Sequence, residues 1–457
     1  MPIAPTDLNK PIDWKATKFA PMLNDLQANI LKGHGRHATR KLFLTVKSGK
    51  AAAARAGLAA LAGIVTTAKQ QLTDTEAFQN GNANSSVVIL AFLSHAGYKA
   101  LAAKPAKIPG DAAFKAGMGG RQSILSDPPR ARWPGFENLH HAMILIADGS
   151  QALCQVAEAT VMAKLGTAGW TLAHVETGSA IFDDQGRGLE HFGYMDGRSQ
   201  PLMLTEQVDK EPRHSGTNFA WDPSFGPDIA LTKDPAGSGA DSFGSYFIFR
   251  KLEQDVAGFK TAEKSIADAQ QHAAAKAGVS PLPDRELAGA MMVGRFEDGT
   301  AVIEHAEPQD AGDPANDFTY AGDPSGLKCP LHAHIRKTNP RDGSEKTRIM
   351  ARRGITYGGL EGSGADVGLL FMAYNVDIAR QFEFTQQMWA NNAGFPKPGT
   401  GIDPIIGQGQ IRRPAYMNCP VAHGDLRKHQ QDFQQFVTMR GGEYFFAPSI
   451  SGLSNLV

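Results

Sequence analysis

The stretch HAMILIADGSQALCQVAEATVMAKLGTAGWTLAHVETGSAIF, residues 141–182, decides the fold. HAMILIA (141–147) is a near-continuous apolar run and reads as a buried strand. SQALCQVAEATVMAKL (150–165) reads as an amphipathic helix, with Leu153, Ala157, Val161 and Leu165 on one face at i, i+4 spacing and Val156 beside them. WTLAHVETGSAIF (170–182) is strand-like again. The same order stands upstream. Thr39–Lys47 has the β-branched and aromatic content of a strand, AAAARAGLAALAGI (51–64) is an Ala/Leu-rich helix, and SSVVILAFL (85–93) is a strand followed by a short helix from Ser94. Strand–helix–strand twice over predicts a ferredoxin-like sandwich.

Downstream, LTKDPAGSGADSFG (231–244) is polar and Gly-rich and reads as a connector. The pattern then repeats: a strand in SYFIFRKL (245–252), an Ala-rich helix (255–277), a strand in GLLFMAYNV (368–376), a helix in DIARQFEFTQQMWANN (377–392) and a closing strand in EYFFAPS (443–449). No residue-level repeat accompanies this echo. The expectation is an α+β protein of two ferredoxin-like modules, residues 1–230 and 231–457, with antiparallel sheets flanked by helices.

The chain has 457 residues, 42% of them hydrophobic, which suits a globular protein of two or three domains. Lys+Arg and Asp+Glu are equal at 46 each, so net charge points to neither a nucleic-acid nor an anionic-membrane partner. Three distant cysteines, Cys154, Cys329 and Cys419, make no disulfide framework and read as plain thiols. The start, MPIAPTDLNKPIDWK, lacks a secretory pattern, and no apolar run approaches the ~20 residues of a membrane span. The expected location is the cytoplasm.

Three stretches could carry chemistry. CPLHAHIRKTNPR (329–341) puts Cys329, His332 and His334 close together. If 332–336 is extended, both imidazoles project to one face, and with the thiolate could bind zinc or a related metal. A single haem-ligating histidine and ordinary core or surface histidines stay open beside that reading. HFGYMDGRSQP (191–201) contains the turn pair Asp196-Gly197, but Gly193 and Gly197 also bracket Tyr194-Met195-Asp196, as if the backbone passed close to something flat and bulky. A carboxylate buried there is costly unless hydrogen-bonded or used. RIMARRGITYG (348–358) holds Arg352 and Arg353, which in a strand face opposite ways, one to solvent and one inward. GHG at 33–35 lacks phosphate-loop spacing, no G-x-S-x-G, H-E-x-x-H or Walker pattern is present, and Trp389 reads as core packing.

Together these stretches resemble the dye-decolorizing peroxidase family. The family's G-x-x-D-G matches Gly193 to Gly197, its haem-ligand segment matches Ala333-His334-Ile335-Arg336 through Asn339-Pro340-Arg341, and its distal arginine matches Arg352. LQANILKGHGR, GSYFIFRKLEQDV, GLLFMAYN, FEFTQQMWANN, DPIIGQ and GGEYFFAPS resemble the longer cyanobacterial and fungal members, so the likeness runs from about residue 26 to 453.

The resemblance implies a b-type haem seated mainly in the C-terminal module, with His334 rather than His332 as iron ligand and Asp403 of GIDPIIGQ as candidate partner of its other nitrogen. It implies hydrogen peroxide as oxidant, Asp196 as proton shuttle, Arg352 as charge stabiliser, and bulky aromatic donors such as anthraquinone dyes and phenolics as reducing substrates. Gly193 and Gly197 are expected to allow the backbone to approach the haem. The rivals are a haem protein without peroxide turnover, a metal enzyme at Cys329/His332/His334, and a non-enzymatic protein that keeps the fold. A homo-oligomer, and electron relay to bulky donors through some of the 5 Trp and 8 Tyr, belong to the same expectation.

Overall fold

A computed structural model describes residues 2–457 apart from 82–85, 213–220, 311, 313, 315, 360–365 and 409–414. In the first half, strands β1 (Ala38–Val46), β2 (Val88–Ser94), β3 (Ala142–Asp148) and β4 (Trp170–Ser179) alternate with helices α1 (Ala51–Ala62) and α2 (Gln151–Leu165). β1 lies between β3 and β4, and β2 lies beyond β3, all antiparallel. This is the strand order of a ferredoxin-like unit.

The second half repeats it with β5 (Phe243–Gln254), α3 (Val256–Lys276), a short β6 (Ala351–Arg352), β7 (Ile355–Tyr357), β8 (Gly368–Asn375) and β9 (Val437–Ala447). β5 pairs with both β8 and β9, and β7 pairs with β8. The place of the second ferredoxin helix is taken by Ala379–Glu383 and Thr385–Ala390, wound as a π-helix with bonds such as Glu383 N to Ile378 O. Trp389 is buried there between Phe384 and Phe395, as core packing requires.

The two sheets are one. β9 pairs with β2, giving the order β7-β8-β5-β9-β2-β3-β1-β4. The free ends then meet: the Thr356 hydroxyl on β7 donates to the Ser179 carbonyl on β4. Gly178 makes that closure sterically allowed, since a Cβ there would sit 2.6 Å from Ile355 Cγ2. The result is a barrel with helices outside. Its interior carries Phe43, Phe136 and Phe249, with ring centroids 4.9–5.7 Å apart. Each fully buried phenylalanine contributes about 1.5–3 kcal/mol.

Two expectations about side chains need correction. On α2 the buried residues are Cys154, Val161 and Leu165, whereas Leu153 is 51% and Val156 69% exposed. The helix sits on β1 and β3 through Cys154, whose Sγ lies 3.6 Å from Ala38 O, so the sheet-facing stripe starts one residue later than the i, i+4 pattern places it. The strand boundaries elsewhere move by a few residues, and the 231–244 connector includes the short strand Thr232–Lys233, paired with β5.

The second correction concerns residues 332–336, which are not extended. His334–Thr338 is a helical turn, designated the His334 helix, closed by Asn339-Pro340. His332 and His334 therefore diverge. His332 is buried with its Nε2 3.9 Å from Cys419 Sγ. Among the described residues, no group of three His, Cys, Asp or Glu side chains comes together to hold a metal ion.

Candidate active site

A cavity of about 530 Å³ is lined by segments from both halves of the chain. His334, Asp196, Gly197 and Arg352 all line it. Asp403 stands behind His334. Gly193 is not part of the lining: its φ of 97° makes the turn, and a Cβ there would meet the Glu297 carboxylate at 3.3 Å. Gly197, with φ 83°, combines a turn conformation with a place on the cavity wall.

On one wall, His334 is the first residue of its helix, and its Nδ1 lies 2.9 Å from Asp403 Oδ2. Asp403 is buried, and its Oδ1 accepts from the amides of Ile405 (2.8 Å) and Ile406 (2.9 Å). Burial by itself raises the Asp403 pKa, but the His334 charge and hydrogen bond together with the two amides outweigh it and hold the carboxyl below its ordinary value. An ionised Asp403 can only accept, so Nδ1–H donates to it and, in the neutral imidazole, Nε2 is left as the nitrogen with a lone pair for a ligand.

The part of the lining that carries Asp196 and Arg352 is built differently. Asp196 accepts from its own neighbour, Gly197 N, at 2.7 Å, and its side chain is exposed to the cavity. Its loop is held by Glu190, whose carboxylate accepts from Phe192 N (2.9 Å), Tyr194 N (3.0 Å) and Gln254 Nε2 (2.5 Å). Burial pushes the Glu190 pKa up to about 7, against those hydrogen bonds and with help from the Asp196 charge. Arg352 is fixed by its N–H to Gln200 Oε1 (3.0 Å) and by Nη2 to Arg198 O (2.6 Å). Burial lowers its pKa while the nearby Asp196 carboxylate opposes that shift.

Arg353 corrects an expectation. It does not run out to solvent. Its guanidinium donates to the carbonyls of Asn29 (2.7 Å), Ile30 (2.8 Å) and Arg352 (2.7 Å), strapping the N-terminal segment to the strand that carries Arg352. Backbone carbonyls, invisible in a residue pattern, provide the inward partners.

The sequence reading missed a cationic pair on the same cavity. Arg295 reaches Asn316 Oδ1 at 2.8 Å, and Arg341 reaches the same oxygen at 2.6 Å and Ser199 Oγ at 2.9 Å. Arg295 also reaches Ser199 Oγ at 3.5 Å, and the pair's other bonds go to backbone carbonyls of Gly299, Asn316 and Phe318. Burial and mutual repulsion bring Arg295 down to about 9, and burial brings Arg341 down to about 10. Two adjacent guanidiniums with neutral acceptors suit a ligand bearing carboxylates. Arg341 lay within the quoted Asn-Pro-Arg motif without an assigned role; nothing in the sequence marks Arg295.

The barrel of two ferredoxin-like units thus brings a histidine–aspartate pair, an aspartate and an arginine to one cavity. Comparison with known proteins identifies the family. Residues 25–178 match the DyP dimeric alpha+beta barrel domain, and residues 229–396 match the Dyp-type peroxidase C-terminal domain. The Multifunctional dye peroxidase DyP2 of Amycolatopsis sp. is 41% identical over 478 residues, covering 99% of this chain and 100% of that protein. A dye-decolorizing peroxidase of Exidia glandulosa is 31% identical, covering 94% of this chain and 86% of its own. The solved DyP-type peroxidase of Anabaena sp. superposes with a TM-score of 0.90 at 36% identity, with 100% of both chains covered. The chain belongs to the DyP-type peroxidase family and is a haem-dependent peroxidase.

Proposed function

We propose that this protein reduces hydrogen peroxide to water with a b-type haem in the cavity, while drawing single electrons from bulky aromatic donors such as anthraquinone dyes and phenolics. In this reading His334 would ligate the haem iron, Asp196 would shuttle the proton and Arg352 would stabilise charge. The observation that carries it is the placement of His334, backed by Asp403, on the same cavity as Asp196 and Arg352.

The residues suit the group. The cavity volume falls in the ~300–1,000 Å³ range of cofactor sites. Ile335, Val293, Phe371, Phe382, Ile405 and Ile406 supply apolar surface for a macrocycle. Arg295, Arg341 and Ser199 would hold its propionate carboxylates. Haem iron, when bound, supplies the redox chemistry that cleaves the peroxide O–O bond. His334 Nε2 would hold the iron, and Asp403 would strengthen that donation by accepting from Nδ1. Asp196, whose carboxylate is exposed to the cavity, would accept a proton from hydrogen peroxide and return it during cleavage. Arg352 keeps its proton and its charge, so it stabilises the peroxide anion and the departing hydroxide.

We take residues 1–230 and 231–457 as the two modules, with the haem held mainly by the second. A cytoplasmic setting belongs to the same reading; Cys154, Cys329 and Cys419 are unpaired, as thiols are in a reducing compartment. No helix among the described residues is long and apolar enough to cross a membrane. The direct test is the absorption spectrum. Wild type and His332→Ala should carry the same ferric haem band near ~400 nm, the range expected for histidine-ligated haem, and His334→Ala should lose it. Loss with His332→Ala instead would overturn the ligand assignment.

A further inference from the structure

We infer that Lys337 is a positioning residue: its ammonium clamps the loop that carries Asp403 and so sets the Asp403–His334 hydrogen bond. Lys337 follows His334 by three residues in the same short helix and is fully buried. Its Nζ donates to the carbonyls of Asn392 (2.9 Å), Phe395 (2.9 Å) and Gly401 (2.7 Å). These three bonds use every proton an ammonium has. All three acceptors belong to the stretch between the π-helical segment and Asp403, and Gly401 stands two residues before it.

A buried ammonium is costly, and these acceptors are neutral carbonyls rather than a carboxylate. A methionine of similar length would fill the space without that cost. What the charge adds is geometric. It draws three carbonyl dipoles to one atom, and that atom is attached to the helix bearing His334. The loop is anchored again at its end, where Asp403 N donates to Ala390 O at 2.8 Å. Both members of the His334–Asp403 pair are thereby referenced to the same short helix, so their 2.9 Å separation does not depend on the loop's own stiffness. The inference rests on the reading of His334 as axial ligand.

Two roles for Lys337 predict opposite signs. If it acts only as a nearby positive charge, Lys337→Met favours the ferric state and lowers the Fe(III)/Fe(II) midpoint. If it acts through Asp403, Lys337→Met loosens the hydrogen bond, weakens imidazole donation and raises the midpoint. The experiment measures three things for wild type, Lys337→Met, Asp403→Asn and the double variant. The first is the Nδ1–H signal of His334 in the ¹⁵N-histidine-labelled apoprotein, assigned with His334→Gln. The second is the rate of haem transfer to apomyoglobin. The third is the midpoint potential.

Lys337→Met should abolish or broaden the Nδ1–H signal, speed haem loss about 10-fold, as for loss of an outer partner of a metal ligand, and raise the midpoint. It should add nothing in the Asp403→Asn background. An unchanged signal with an unchanged or lowered midpoint overturns the inference. Should Lys337→Met fail to fold, Lys337→Gln, which keeps two donors, should show the same shifts at smaller size, and their absence overturns the inference equally. Failure of the axial-ligand reading shows separately, as a wild-type haem spectrum in His334→Ala, because the apoprotein signal needs no haem.

Discussion

The two walls of the cavity are held by opposite strategies. On the His334 side, Asp403 is buried, its oxygens accept three hydrogen bonds, and Lys337 ties its loop to the helix of the histidine. On the Asp196 side, the carboxylate accepts a hydrogen bond from the next residue and faces the cavity, and the holding is done by another residue, Glu190. An axial ligand benefits from a fixed tautomer and a fixed axis. A proton shuttle must keep an oxygen free to take and return a proton. Saturated bonding serves the first and would disable the second.

The sharpest way to break this contrast is to remove the ligand. His334→Ala should lose stable haem altogether, as read by the haem band after gel filtration, whereas Asp196 and Arg352 variants should retain it. Next, Asp196→Asn and Arg352→Leu should each slow peroxide activation by about 10²-fold or more, the scale of losing one transition-state stabiliser, with haem content unchanged. Stopped-flow rates equal to wild type for Asp196→Asn would remove it as the shuttle. Arg353→Leu, by contrast, should act on stability: it leaves the carbonyls of buried Asn29 and Ile30 and of half-buried Arg352 without their donor, at about 1–3 kcal/mol for an unsatisfied buried group, read by thermal unfolding.

Asp403→Asn should have a smaller effect, about 10-fold on haem retention, since the ligand stays while its orientation weakens.

The smallest expected effect concerns Glu190. Its folded-state pKa is raised from 4.5 to about 7, so between these values the folded protein binds the proton that the unfolded chain has released. Its stabilising contribution is complete below pH 4.5 and is lost as pH rises through about 7. Glu190→Gln removes that loss, so the unfolding temperature of the variant should fall less than that of wild type across this interval. Parallel curves for the two proteins would remove Glu190 as the source.

Legibility in the sequence followed physical locality. The β1-α1-β2 and β3-α2-β4 alternations were readable because strand and helix periods are properties of neighbouring residues. The extended reading of 332–336 failed because a stretch of five residues carries too little periodicity to separate a helical turn from a strand. The same limit applies to α2: the pattern identified a helix, but Leu153 and Cys154 compete for the inward face, and only docking on β1 and β3 chose Cys154.

By itself, the sequence determined the two α+β units and the identities of His334, Asp196 and Arg352 as residues worth testing, because each sits in a short motif. Tertiary structure alone decided their relations. It turned Arg353 inward onto carbonyls of residues 29 and 30 and put Arg295 beside Arg341 over one shared asparagine oxygen, while the Asp403–His334 pair across 69 positions had been indicated by the family resemblance and not by any local pattern. It also closed the sheet into a barrel through the contact of Thr356 with Ser179. These are pairings between segments whose local composition is indifferent to one another. Closing the long loops between them is repaid by the packing of the whole barrel rather than by any single pair, so no local pattern records them.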